Sequence, residues 1–140
     1  MRVVEVMKLK VLGCSGGIGG SQSRTTSFLV DDDILIDCGT GAGDLPLEVL
    51  KGIDHVFLTH AHLDHIAALP MMIDSVGALS AAPVVVHAAP ETIRILHSHI
   101  FNWLIWPDFS TIPDHASPYM RFQPINVGER VALGDRAITA

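Results

Sequence analysis

The 140 residues allow one domain, and although 49% of them are hydrophobic, no membrane span accounts for that fraction. The longest apolar region, residues 66–89, is cut by Pro70, Asp74 and Pro83, so it cannot supply the ~18 uninterrupted apolar residues of a spanning helix. A net charge of −6 with no basic run excludes a broad nucleic-acid footprint.

The first eight residues place Arg2 and Glu5 where a signal peptide needs an uninterrupted apolar stretch. The two cysteines, Cys14 and Cys38, suit a reducing compartment better than a disulfide scaffold, so a cytoplasmic protein is expected. Met7 is an alternative start, because the well-patterned sequence begins there. Lys8 to Leu12 alternates polar and apolar residues and predicts a first strand. It runs into Gly13-Cys-Ser-Gly-Gly-Ile-Gly-Gly20, in which Gly13, Gly17 and Gly19 have the spacing of a dinucleotide-binding turn, with Asp37 about 20 residues on. That motif needs a helix opening at its last glycine, to place a helix N-terminus at the pyrophosphate. Ser21 to Phe28 is polar, β-branched and without helical period, so the glycines are expected to form a flexible loop beside the site described next, near Arg24.

Thr26–Val30 and Ile34–Asp37 predict a hairpin across Asp31-Asp32-Asp33, an acidic turn expected to be solvated. Asp37 ends an apolar strand before Gly39-Thr-Gly-Ala-Gly43, where it could cap the following turn or accept from a histidine. Asp44–Lys51 predicts a short helix with Asp44 as N-cap and Gly52 as its stop. The chain is organised around what comes next. Val56 to Thr59 has the look of a buried strand and is followed at once by His60-Ala-His62-Leu-Asp64-His65. Histidine is the commonest metal ligand, and a neighbouring carboxylate adds charge for a divalent cation. His60 and His62, two apart, project to one side of an extended backbone and can pinch one ion; Asp64 and His65 follow where the chain must turn and can face a second.

Beyond this string a helix is expected over 66–80, a buried strand over Val84–His87 and a second helix over Pro90–Phe101. Strands and helices in this order predict an α/β chain with mixed strands and no internal repeat. Trp103, Trp106 and Phe109 fall three apart in an aromatic stretch, which is consistent either with one packed face or with a surface for stacking on a base. His55, His87 and His115 have no ligand partner at useful spacing and are expected to be ordinary structural or surface histidines.

The string His60-x-His62-x-Asp64-His65 after an apolar strand resembles the signature of the metallo-β-lactamase superfamily. Arg24-Thr-Thr-Ser-Phe-Leu-Val, Ile36-Asp-Cys-Gly-Thr-Gly and the aromatic stretch His99–Phe109 further resemble its class II cyclic-nucleotide phosphodiesterase branch. The resemblance implies layered α/β (α+β) architecture: the amino-terminal half of an αββα sandwich. It also implies a site for two divalent metal ions, usually Zn2+. His60 and His62 would hold the first, and Asp64 and His65 the second. Asp64 would also orient the attacking hydroxide, and Asp37 would support the histidines from behind. The implied substrate is a small cyclic nucleotide, cAMP or cGMP, hydrolysed to the 5′-monophosphate, with no membrane and no extended nucleic acid as partner. Lactonase, thioesterase, arylsulfatase and tRNA 3′-end nuclease activities are the alternatives within the superfamily, and an inactive fragment is the alternative outside enzymes. The family draws a third histidine, a bridging aspartate and a further histidine from its second half, whereas this sequence stops at Ala140. The chain is therefore expected to be an amino-terminal portion, leaving the apolar strand faces of Val56–Leu58 and Val84–Val86 exposed for want of a second sheet.

Overall fold

A computed structural model describes residues 6–140, so the reading of residues 1–5 lies outside the described residues. Six strands form one sheet in sequence order: β1 Leu9–Gly13, β2 Ser27–Val30, β3 Ile34–Ile36, β4 His55–Phe57, β5 Val84–Ala88 and β6 Met120–Pro124. The first three pair antiparallel and β3 to β6 pair parallel. Parallel strands need long crossovers, and the crossovers carry the helices. These are α1 Leu47–Leu50, α2 Leu63–Ile66, α3 Leu69–Val76 and α4 Pro90–His99. A second, two-stranded sheet, β7 Arg130–Leu133 with β8 Arg136–Thr139, closes the described chain.

Side chains alternate across the sheet, and both faces are apolar over β3 to β5, which is why Ile34-Leu35-Ile36 and Val84-Val85-Val86 read as continuous hydrophobic runs. Leu35, Val56, Leu58, Val84 and Val86 face the helices and pack with Leu69, Ile73, Val76 and Leu96 in the main core. On the opposite face Val30, Ile34, Phe57 and Ile125 make a second cluster, covered by Val131, Leu133 and Ile138 of the β7–β8 hairpin. The order is helices, six-stranded sheet, two-stranded sheet. The expected exposure of Val56–Leu58 and Val84–Val86 is corrected in most part: the helices bury Val56, Leu58, Val84 and Val86, the hairpin side buries Phe57, and Val85 alone stays part-exposed.

The acidic turn is also corrected. Arg136 of β8 reaches both Asp31 (2.8 Å) and Asp33 (2.6 Å), which ties the hairpin layer to the β2–β3 turn and leaves Asp32 as the solvated member. The guanidinium holds both carboxyls below their usual range; for Asp31 the larger cause is the Lys8 backbone N–H. The helix expected over 66–80 is shorter, α3 over Leu69–Val76, and is separated at Ala67–Ala68 from α2, which ends at Ile66. Pro70 lies in the first turn of α3, where its missing N–H leaves no bond unmade. Asp44 is not a helix cap. It pairs with Arg24 at 2.7 Å, and α1 begins after Pro46 instead.

Candidate metal centre

Strands β3 and β4 run parallel in register, Ile36 opposite Phe57, so the residues just beyond their ends emerge side by side. This is the edge of an α/β sheet where ligands ordinarily bind. The Asp37 N–H donates to the Phe57 carbonyl (2.8 Å), and Asp37 then turns into the left-handed region at φ 57, a conformation that aspartate tolerates better than most residues. The turn aims its carboxylate across the end of β4. There Asp37, 1% exposed, collects three donors. The Thr59 N–H donates to Oδ1 at 2.8 Å, the Thr59 hydroxyl lies 2.8 Å from Oδ2, and His65 Nδ1 lies 2.7 Å from Oδ2. A carboxylate this buried persists only when its lone pairs are so occupied.

Backbone bonds clamp α2 to the same turn. The Cys38 N–H donates to the His65 carbonyl (2.8 Å) and the Ala68 N–H to the Cys38 carbonyl (3.0 Å). Gly39 lies so close to the Asp64 carbonyl oxygen and the Thr25 hydroxyl that any side chain there would collide with both. Thr25 and Thr40 exchange hydrogen bonds through each other's hydroxyl and N–H (2.8 and 2.7 Å), which ties the start of β2 to the turn after β3. Cys38, though adjacent, is no ligand: it is fully buried, and burial together with the Asp37 charge pushes its thiol up to about 12, away from the thiolate that binds metals.

The structure brings all four sequence-predicted ligand residues together. The rings of His60 and His65 lie 4.1 Å apart and those of His60 and His62 4.5 Å apart, the latter edge to face at 71°. His65, with Nδ1 turned to Asp37, presents Nε2 to Asp64 Oδ2 at 3.3 Å. Two donors on one tetrahedral zinc with bonds of about 2.0–2.1 Å would be about 3.3 Å apart. A bare ring nitrogen facing a carboxylate oxygen at that distance is repulsive unless a cation, proton or metal, lies between them. Asp64 and His65 therefore fit a cation. Among the described residues, however, no three His, Cys, Asp or Glu side chains form a group that could hold one metal ion.

Thr59 was not singled out from the sequence; the available signal was a hydroxyl residue directly before the first histidine. Nor was the pair His55–His87. His55 Nδ1 and His87 Nε2 meet at 3.0 Å, and the buried His87 ring stacks on Phe57 at 4.2 Å, its Nδ1 without a partner among the described residues. Burial, reinforced by His55, lowers His87 to about 4. Of the aromatic stretch, Phe109 is 4% exposed and packs against Phe101 and Tyr119, so it offers no face to a ligand and its expected substrate contact is corrected. Residues 101–113 are irregular, and the three aromatics do not share one face as a helix would give them. Trp106 packs half-buried against the main core, while Trp103 is 64% exposed in the left-handed region at φ 66. His115 is exposed, and no described helix is long and apolar enough to cross a membrane.

With this geometry established, three comparisons place the chain. A probable 3′,5′-cyclic-nucleotide phosphodiesterase of Yersinia pestis is 25% identical over 157 residues, covering 91% of this chain and 44% of the relative. A ribonuclease Z of Halorubrum lacusprofundi is 30% identical over 97 residues, covering 65% and 31%. The crystal structure of unliganded yeast PDE1 superposes with a TM-score of 0.73 at 21% identity, over 93% of this chain and 53% of that one, and so shares the fold. The chain spans about half the length, or less, of these relatives. Proteins of the metallo-β-lactamase fold usually bind divalent metals. The model of the β-lactamase superfamily domain matches residues 32–140, and the chain belongs to that superfamily, with the metallo-β-lactamase fold.

Proposed function

We propose that this chain carries the metal-binding half of a hydrolase that opens 3′,5′-cyclic nucleotides to 5′-monophosphates. The observation that carries the proposal is the cluster itself: a buried carboxylate, Asp37, holding His65 while Asp64 and His65 leave cation-sized room between their donors. His60 and His62 would hold one divalent cation, and Asp64 and His65 a second, with Zn2+ suited to this nitrogen-rich donor set. Such a pair supplies, when bound, a water acidified towards neutral pH and charge compensation for phosphoryl oxygens. The chain's residues do the rest. Asp64, part-exposed beside His65, orients the attacking water towards phosphorus. Asp37 and Thr59 keep the imidazoles from rotating. Water adds across the P–O3′ bond, leaving a 3′-hydroxyl and a 5′-phosphate. Trp103, on the surface beyond α4, offers an aromatic face for the base, and stacking there needs no hydrogen-bond code. A cytoplasmic site of action agrees with two free cysteines, Cys14 exposed and Cys38 buried.

Coverage favours the cyclic-nucleotide substrate. The phosphodiesterase relative matches 91% of the chain, whereas the ribonuclease Z relative matches 65%, and the net charge of −6 suits a small ligand better than a tRNA. The ribonuclease reading stands second on its higher identity, 30% against 25%. The test offers the zinc-loaded protein cAMP, cGMP, a 3′-extended tRNA precursor and an ester panel. Release of 5′-monophosphate from a cyclic nucleotide, well above turnover of the others, is expected. Cleavage of the tRNA precursor alone would transfer the assignment to the second reading.

A further inference from the structure

Thr59 stands between the two halves of the cluster. Its hydroxyl oxygen lies 2.8 Å from Asp37 Oδ2, 2.9 Å from His60 Nδ1 and 3.4 Å from His65 Nδ1. A hydroxyl has one proton to give. The Asp37 carboxylate can only accept, and its Oδ1 already takes the Thr59 backbone N–H at 2.8 Å. The hydroxyl proton therefore goes to Asp37, and what the oxygen turns to His60 is a lone pair. The short contact to Nδ1 is then attractive only when Nδ1 carries the ring proton.

We infer that Thr59 fixes His60 as its Nδ1–H tautomer, leaving Nε2 bare, through the chain His60 Nδ1–H, Thr59 Oγ1–H, Asp37. His65 gives its own Nδ1–H straight to the same carboxylate at 2.7 Å. One buried aspartate thus sets the tautomers of two histidines, one directly and one through a hydroxyl. On the ligand reading proposed above, those histidines belong to different cations, so the two halves of the centre share one orienting group. Thr59 is a positioning residue in this account. Although the residue stands at the surface, its hydroxyl is engaged on the protein side.

The test uses the whole 15N-labelled chain, first without metal at mildly alkaline pH, and reads each ring by long-range 1H–15N correlation. His60 and His65 are expected to be protonated at Nδ1 in the wild type and in Thr59→Ser, which keeps the hydroxyl. In Thr59→Val, which keeps the backbone bond to Asp37 but loses the hydroxyl, His60 is expected to gain the Nε2–H form while His65 stays as it was. Zinc affinity, measured by competition with a chromophoric chelator, should fall about 10- to 100-fold in Thr59→Val and return in Thr59→Ser. An Nε2–H His60 in the wild type would overturn the inference without recourse to any variant. So would an unchanged His60 in a folded Thr59→Val protein. The expected tautomers with no zinc uptake would uphold the inference while overturning the metal reading on which its functional meaning rests.

Discussion

Asp37 and His65 meet at 2.7 Å although 28 residues separate them, because one follows β3, the other sits on α2 beyond β4, and the two strands run parallel and adjacent. The same carboxylate receives the N–H of Thr59. Asp37→Asn keeps the volume but sets an amide nitrogen against one of these donors. Zinc affinity should fall about 10- to 100-fold, with a stability loss of about 1–3 kcal/mol from the unmet donor. Zinc competition and urea unfolding on the same samples check both; unchanged affinity would detach Asp37 from the site.

His62 is exposed and makes its described contact with the ring of His60. In a complete hydrolase that contains this chain, His62→Ala should leave the fold intact and, on the proposed reading, cut zinc content and cyclic-nucleotide turnover by at least about 100-fold. His115→Ala, at an exposed position, should alter neither. Metal analysis beside a turnover assay separates the two outcomes.

The aromatic stretch divides by burial. Phe109→Ala should cost about 3–5 kcal/mol, because a buried ring leaves a cavity among Phe101, Tyr119 and their neighbours. Trp103→Ala should leave stability nearly unchanged. It should raise KM for a cyclic nucleotide roughly 5- to 150-fold, the equivalent of about 1–3 kcal/mol of lost stacking, without affecting a small generic phosphodiester. Equal losses on both substrates would make Trp103 a structural residue only.

His87 gives stability a dependence on pH. Burial lowers its folded value to about 4 from an ordinary 6.5, so between those limits the unfolded chain binds a proton that the folded chain does not. Stability is therefore fully present above about 6.5 and declines towards about 4, by on the order of 3 kcal/mol. Below about 4 a further loss begins as Asp31 and Asp33, held low in the folded state, are protonated. Urea titrations from neutral pH to pH 4 should show this slope flattened in His87→Phe. Identical slopes would assign the dependence to other groups.

The strand–helix order through residue 99 and the gathering of His60 to His65 at the end of β4 were legible in the sequence, because apolar periodicity and residue spacing are local properties. The two-sided burial of β3 to β5 showed as continuous apolar runs. What the sequence hid depends on contacts between distant positions. Arg136 finds the Asp31–Asp33 turn more than 100 residues away. Asp44 pairs with Arg24 rather than capping a helix. The hairpin β7–β8 is built from short half-buried strands whose apolar side shows only against Phe57 and Ile125. Thr59 carried too common a residue type to stand out, and its role follows from where Asp37 is brought to meet it.

On the proposed reading, His60 and His62 bind one divalent cation and Asp64 and His65 a second. Titrating zinc into metal-free protein by calorimetry, for the wild type, His65→Ala and His115→Ala, tests it most directly. Uptake is expected for the wild type and His115→Ala, weakened at least about 10-fold in His65→Ala. No uptake by folded wild-type protein, or uptake indifferent to the loss of His65, would contradict it.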